Sequence, residues 1–157
     1  MRVSITINAV QCLLEIEPGE ILLDILRREG YVEVKGDCRT GDCGACTVLF
    51  DGKPIASCMM LAAKADGHAV TTVRGIGDQR NPHALQRAFV HNGAIQCGYC
   101  IPGAITSAKA LLDENPEPTR EDICLAMDSN YCRCTGYEQQ IEAVLEAARE
   151  LREGGSR

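Results

Sequence analysis

Ten cysteines in 157 residues constrain this chain more than any other feature. Eight of them fall into two groups with short spacings, namely Cys38, Cys43, Cys46 and Cys58, then Cys97, Cys100, Cys132 and Cys134. The residues from Met1 to Asn8 alternate as a β-strand does and have no signal-peptide character. We therefore expect a cytoplasmic chain. Because the cytosol keeps thiols reduced, metal ligation is a better explanation of the cysteines than disulfide formation.

The first group has the spacing Cys-x4-Cys-x2-Cys followed by a distant fourth cysteine. This spacing is typical of plant-type [2Fe–2S] sites, in which one loop curls around the cluster. Gly41 and Gly44 lie inside the loop, where glycine permits positive φ and a close approach of backbone N–H groups to sulfur. A structural zinc site is the alternative, but zinc sites usually pair two Cys-x2-Cys units. The spacing therefore predicts an iron–sulfur cluster.

The second group consists of two pairs, each placed just before a predicted helix. Cys97 and Cys100 precede a helix that begins with Pro102, and Cys132 and Cys134 precede the last helix. Free N–H groups and the positive end of the helix dipole stabilise thiolates at such positions. Spacing alone fits zinc as well as an iron–sulfur cluster, so both metals remain open for this group.

The other two cysteines and the three histidines fall outside these groups. We predict that Cys12, in an alternating strand, and Cys124, in a short helix, are small buried apolar residues. His68, His83 and His91 are scattered, and we interpret them as surface or satisfied core residues rather than metal ligands.

The first half of the chain reads as two hairpins around one helix. Alternating apolar residues predict strands on both sides of a turn near residues 8–10, a helix follows over 20–29, and Asp51-Gly52 predicts a second hairpin turn. A last strand is predicted over 69–73. This order predicts a β-grasp ferredoxin-like domain, which we place at residues 1–76.

The second half reads as four helices separated by Pro, Gly and Asn, and predicts an all-α four-helix-bundle domain at residues 77–157. The chain is thus of the α+β class, with a linker near residues 74–81. Asn81 is predicted to cap the first of these helices, with Pro82 at the first helical position. Thr119 is predicted to cap the third.

Charge argues against a nucleic-acid partner, and hydropathy argues against a membrane span. The net charge of −6 and the absence of a Lys/Arg block predict no nucleic-acid binding. No apolar run approaches the roughly 20 residues that a membrane span needs.

Three stretches carry a resemblance to a known family: Gly41-Asp42-Cys43-Gly44-Ala45-Cys46-Thr47-Val48, Gln96-Cys97-Gly98-Tyr99-Cys100-Ile101-Pro102-Gly103 and Cys132-Arg133-Cys134-Thr135-Gly136-Tyr137. Together they resemble the iron–sulfur subunit of the molybdenum hydroxylases, which include xanthine dehydrogenase, carbon monoxide dehydrogenase and aldehyde oxidoreductase. The resemblance covers nearly the whole chain and favours iron over zinc at the second group. Asp37 departs from the family, in which glycine is common before the first cysteine.

The resemblance implies a set of roles. The first four cysteines would hold a [2Fe–2S] cluster near a flavin, and the second four would hold one near a molybdopterin. Gln96 would contact the pterin, and Cys134 would bond its amino group through sulfur. A large molybdopterin subunit and a medium FAD subunit would complete a heterotrimer that hydroxylates its substrate with oxygen from water. This chain would have no catalytic residue and would relay electrons. A free-standing two-cluster ferredoxin and a zinc-stabilised adaptor are the alternatives.

Overall fold

The fold was analysed in a computed structural model that describes residues 1–154. The first half contains strands β1 (Arg2–Ile7), β2 (Val10–Glu15), β3 (Thr47–Phe50), β4 (Lys53–Ala56) and β5 (Ala69–Thr71), with helix α1 (Leu22–Arg28) after β2. Two short 3₁₀ helices, Ser57–Met59 and Ala62–Ala65, lie between β4 and β5. The strands form one mixed sheet in the order β2-β1-β5-β3-β4, in which only β1 and β5 run parallel.

Alternation of apolar residues builds this sheet, as the sequence predicts. Val3, Ile5 and Ile7 of β1 are fully buried, while their neighbours along the strand face outward. They pack against the apolar face of α1, and helix and sheet share one core. Both predicted hairpins are present. The last strand ends at Thr71, two residues earlier than predicted, because Val73 already begins the next helix.

The second half is helical. The helices are the single turn α2 (Val73–Ile76), then α3 (Ala84–His91), α4 (Ile101–Glu114), α5 (Arg120–Met127) and α6 (Glu138–Arg152). Helices α3 to α6 surround a core in which Phe89 is the one aromatic residue and alanines are frequent. Small side chains let helix backbones approach closely, which explains how a chain with so few aromatic residues fills its interior. The α+β class with a four-helix bundle is confirmed.

The prediction that Asn81 caps the first helix of the bundle was wrong. His83 is the capping residue: its Nδ1 accepts the N–H of Leu85 at 3.2 Å, and its own N–H donates to Gln86 Oε1 at 2.8 Å. Sequence rules favour Asn over His at this position, but Asn81 instead lies in a tight turn with Asp78. Thr119 caps α5 with Asp122, as predicted.

None of the helices within residues 1–154 is both long enough and apolar enough to cross a bilayer. The last three residues of the predicted helical domain, 155–157, lie outside the described residues.

Candidate metal centres

The first cysteine group lies on the loop between α1 and β3 and on the 3₁₀ helix after β4. Gly41 and Gly44 have φ values of +87° and +68°, so the loop uses the left-handed conformation that the sequence predicts there. Arg39, also left-handed, makes a bidentate ion pair with Asp24 of α1 at 2.8 and 3.1 Å. That pair fixes the exposed side of the loop to the sheet domain.

Backbone groups of this loop already favour a negative sulfur. The N–H groups of Thr40 and Cys43 donate to Cys38 Sγ at 3.5 and 3.4 Å. Hydrogen bonds from the Thr40 side chain and from these two N–H groups lower the pKa of Cys38 to about 6. On the opposite side of the site, burial and the neighbouring Cys46 sulfur raise the pKa of Cys58 to about 11. The loop therefore stabilises a thiolate at Cys38, whereas the surroundings of Cys58 favour its neutral thiol in the absence of a cation.

The second cysteine group is brought together from two loops. Cys100 is the residue on which α4 begins, and Cys132 and Cys134 lie on the loop before α6. The four cysteines line a cavity of about 560 Å³, together with Asp37, Tyr99, Tyr131, Arg133 and Tyr137. Tyr137 has φ of +70°, and its hydroxyl accepts the N–H of Cys132 at 2.9 Å. The predicted position of both pairs before helices is therefore what the structure shows.

The second site also holds its sulfurs with hydrogen bonds. Burial raises the pKa of Cys132, but bonds from the Thr135 hydroxyl and N–H outweigh it and lower that pKa to about 7. Burial and the nearby Cys132 raise the pKa of Cys100 to about 11. Gln140 donates its side-chain N–H to Cys100 Sγ at 3.6 Å.

In each site the sulfurs form two close pairs. Cys38 lies beside Cys43, and Cys46 beside Cys58. In the second site, the sulfurs of Cys97 and Cys134 are 3.6 Å apart, and Cys100 lies beside Cys132. Four sulfurs in two pairs fit a two-iron cluster, in which each iron takes two thiolates, better than one tetrahedral zinc.

The two sites are joined by a short contact between the two halves of the chain. The N–H of Tyr131 donates to the carbonyl of Cys43 at 3.0 Å, and Asn130 Nδ2 donates to the carbonyl of Gly44 at 3.2 Å. Because Tyr131 is bonded to Cys132, this contact joins Cys43, a ligand candidate of the first site, to the residue beside a ligand candidate of the second. Gly103 of α4 lies against the same loop, and a Cβ on it would come within 2.2 Å of the Gly44 carbonyl.

Other predicted residues have mixed outcomes. Gln96 is exposed and directly precedes Cys97. Cys12 is half-buried, but Cys124 is exposed, so the prediction that Cys124 is a buried core residue was wrong. Cys124 lies on the outward face of α5. This helix is only about two turns long, so the spacing of its apolar residues does not predict which face is buried.

The three histidines are outside both sites, as predicted. His68 pairs with Asp51, His91 with Glu146, and His83 caps α3.

Sequence reasoning missed three polar residues around the second site. Gln140 is fully buried, Asn130 is 2% exposed, and Thr135 bonds to Cys132 and Gln140. A polar residue at an apolar position of a predicted helix was the one available signal, and Gln140 carries it: it directly precedes Ile141 on the face of α6 that packs into the bundle.

Comparison with known proteins decides the family. A model described as "2Fe-2S iron-sulfur cluster binding domain" matches residues 5–71, and one described as "[2Fe-2S] binding domain" matches residues 72–145. The chain is 48% identical to the nicotinate dehydrogenase small FeS subunit of Eubacterium barkeri, covering 92% of each chain. The chain belongs to the iron–sulfur subunits of the molybdenum hydroxylases. It thus carries two [2Fe–2S]-binding domains and forms part of a molybdenum-dependent oxidoreductase.

Solved structures of this family have the same fold. Quinoline 2-oxidoreductase from Pseudomonas putida 86 has a chain that superposes with a TM-score of 0.93 at 40% identity, covering 99% of this chain and 98% of that one. The aldehyde oxidoreductase of Megalodesulfovibrio gigas is 44% identical over 92% of this chain, which corresponds to 16% of the longer protein. The same iron–sulfur unit therefore occurs both as a separate subunit and as part of a longer chain.

Proposed function

We propose that Cys38, Cys43, Cys46 and Cys58 hold one [2Fe–2S] cluster, and that Cys97, Cys100, Cys132 and Cys134 hold the other. The arrangement of each set in two close pairs is the observation that carries the proposal, because it offers two thiolates to each of two irons. Cys38 and Cys43 would share one iron of the first cluster and Cys46 and Cys58 the other. In the second cluster the pairs would be Cys97 with Cys134 and Cys100 with Cys132.

The role of this chain is then to relay electrons. A [2Fe–2S] cluster accepts and donates one electron at a time, whereas hydroxylation with oxygen from water releases two. Electrons would leave a molybdopterin centre on a large partner subunit, cross both sites and reach a flavin on a medium subunit or another acceptor. No residue of this chain would touch the substrate, and its own contribution is to fix the two sites close together and to shield Cys58 and Cys100 from water.

The exposed edge of the second site is where we place the pterin. Gln96 and Cys134 are both exposed, and Cys134 and the residue after Gln96, Cys97, form one of the close sulfur pairs. A partner's pterin could reach both residues without a rearrangement of the bundle. The domain boundary is proposed at residues 76 and 77, within the linker predicted near residues 74–81. None of the ten cysteines forms a disulfide within the described residues, which favours a cytoplasmic location.

Metal analysis of paired variants tests the ligand assignment. The wild-type chain should contain about four irons, since each [2Fe–2S] site holds two. Cys58→Ser and Cys100→Ser should each lower the iron content, and each should alter only one of the two electron paramagnetic resonance signals of the reduced protein. Cys12→Ser and Cys124→Ser are the matched controls, because neither cysteine belongs to a site, and both should keep all the iron. Stoichiometric zinc, or iron loss in the controls, would refute the assignment.

Isolation of the tagged chain from its native host tests the partners. We expect a large subunit with molybdenum and a medium subunit with FAD to co-purify with it. A chain that carries both clusters and elutes alone at its own mass would instead be a free-standing two-cluster ferredoxin.

A further inference from the structure

Gln140 occupies an unusual position beneath the second site. It lies in the first turn of α6 with a side chain that is 0% exposed. A carboxamide is rarely buried so completely, because it loses its hydrogen bonds to water and must replace them within the protein. The contacts that Gln140 makes therefore indicate why it is there.

The amide nitrogen of Gln140 uses both of its hydrogens at the second site. It donates to Cys100 Sγ at 3.6 Å and to Thr135 Oγ1 at 3.1 Å. Thr135 Oγ1 is in turn 3.2 Å from Cys132 Sγ. One side chain thus contacts the segment that carries Cys100 and the segment that carries Cys132, which are the two members of a close sulfur pair.

The oxygen end of the same side chain has no partner. Gln140 Oε1 is buried and makes no hydrogen bond within the described residues. An apolar side chain of the same length would fill this space without leaving an unsatisfied carbonyl, so packing alone does not explain the glutamine. The orientation also has a reason: a metal-bound sulfur has no proton to give, so only the N–H end of the amide suits Cys100.

We propose that Gln140 is a positioning residue that raises the reduction potential of the second [2Fe–2S] cluster. This inference rests on the proposed function, in which Cys100 and Cys132 are ligands. Reduction adds one negative charge to the cluster and its sulfurs, and an N–H donor stabilises the more negative state more strongly. Since Cys100 is only 8% exposed, water competes little with this bond.

The hydrogen-bond donor of Gln140 can be removed by substitution, because it belongs to a side chain and not to the backbone. Among the described residues, its amide is the one side-chain N–H that donates to a cysteine sulfur, whereas Cys38 and Cys132 receive backbone N–H groups. The variant Gln140→Met preserves length and approximate volume and removes the donor. Gln139→Met is the matched control, because Gln139 is the exposed neighbour in the same turn of the helix.

The measurement is a redox titration of the holo complex followed by electron paramagnetic resonance. Gln140→Met should lower the potential of the second cluster, with about a tenfold shift in the one-electron equilibrium constant, which equals about 59 mV. The first cluster in the same molecule should keep its potential, and Gln139→Met should change neither. A Cys58→Ser variant identifies the signal of the first site. An unchanged second potential in fully loaded Gln140→Met would overturn the inference.

A second measurement uses the unaltered side chain, in case Gln140→Met fails to load the second cluster. Pulsed electron paramagnetic resonance on protein labelled with ¹⁵N in the glutamine side-chain amides should detect a coupled ¹⁵N nucleus at the second cluster. The coupling should persist in Gln96→Met, which removes the other amide near this site. Absence of the coupling in a Gln96→Met protein that contains both clusters would overturn the inference. Absence of iron from the wild-type second site would instead refute the proposed function.

Discussion

The contact between Gly103 and the first cysteine loop provides the most direct test of how the two sites are held together. A Cβ at residue 103 would lie 2.2 Å from the carbonyl oxygen of Gly44 and 3.1 Å from Asn130 Nδ2. An ordinary contact needs about 3.4 Å or more, so α4 and the loop would have to separate by about 1 Å. Because the obstructing atom belongs to the backbone, a change of side-chain rotamer cannot relieve the overlap.

The cost of Gly103→Ala follows from the groups that this separation disturbs. Overpacking costs about 1–3 kcal/mol. The hydrogen bonds from Tyr131 to Cys43 and from Asn130 to Gly44 contribute about 1 kcal/mol each. Alanine returns about 1 kcal/mol through its better helix propensity. We therefore expect a net loss of about 2–4 kcal/mol in the free energy of unfolding.

Urea unfolding of the holo chain, followed by circular dichroism, measures this loss. With a slope of about 2 kcal/mol per molar urea, the midpoint should fall by about 1–2 M. The dipolar broadening between the two reduced clusters should also decrease, because the first cysteine loop moves away from α4, which begins at Cys100 of the second site. Gly36→Ala is the control: its carbonyl accepts the Tyr99 hydroxyl across the same boundary, but its Cβ would meet only the end of the Leu23 side chain, at 3.3 Å. Equal midpoints and equal broadening in the two variants would refute the close backbone contact.

Three further predictions concern the cap of α3, the clusters and Asp37. Burial lowers the pKa of His83, with Lys109 as a smaller cause, so the unfolded chain binds a proton more readily and stability should fall as the pH drops below about 6.5. The variant His83→Asn retains a capping acceptor but lacks the titrating ring. The difference between its urea midpoint and that of the wild type should therefore change as the pH falls from 8 to 5.5. A constant difference would contradict a buried, neutral His83. Removal of the clusters should abolish the near-ultraviolet circular dichroism, because thiolate–iron bonds hold both sites, and a native-like spectrum of the apo chain would show that folding is independent of iron. Asp37 is exposed, so water screens its charge, and Asp37→Asn should shift the potential of the first cluster by less than about 59 mV; a larger rise in a redox titration would show that the carboxylate acts at close range.

The sequence is a good guide to what is local in this chain. Alternation in β1, the turn at Asp51-Gly52 and the capping box at Thr119 are each decided by a few neighbouring residues, and each is present. The spacing of Cys38, Cys43 and Cys46 is likewise local, since one loop must present all three sulfurs.

What the sequence could not predict depends on residues distant along the chain. His83 replaces Asn81 as a cap because α3 starts where it can pack, and not where capping propensity is highest. Gln140 donates to Cys100, forty positions earlier, and no helical period can reveal that contact. Asn130 matters because it meets Gly44, 86 positions away.

The contact between the halves also changes how the two domains should be regarded. Each has its own core and its own cysteine set, which would allow them to act as separate modules. However, the Tyr131 N–H donates to the carbonyl of Cys43, and Tyr131 is bonded directly to Cys132. One hydrogen bond and a few covalent bonds therefore connect a sulfur of the first site with a sulfur of the second. Gly103 and Asn130 enforce this arrangement from α4 and from the loop before Cys132, so the distance between the two sites is set by the fold itself.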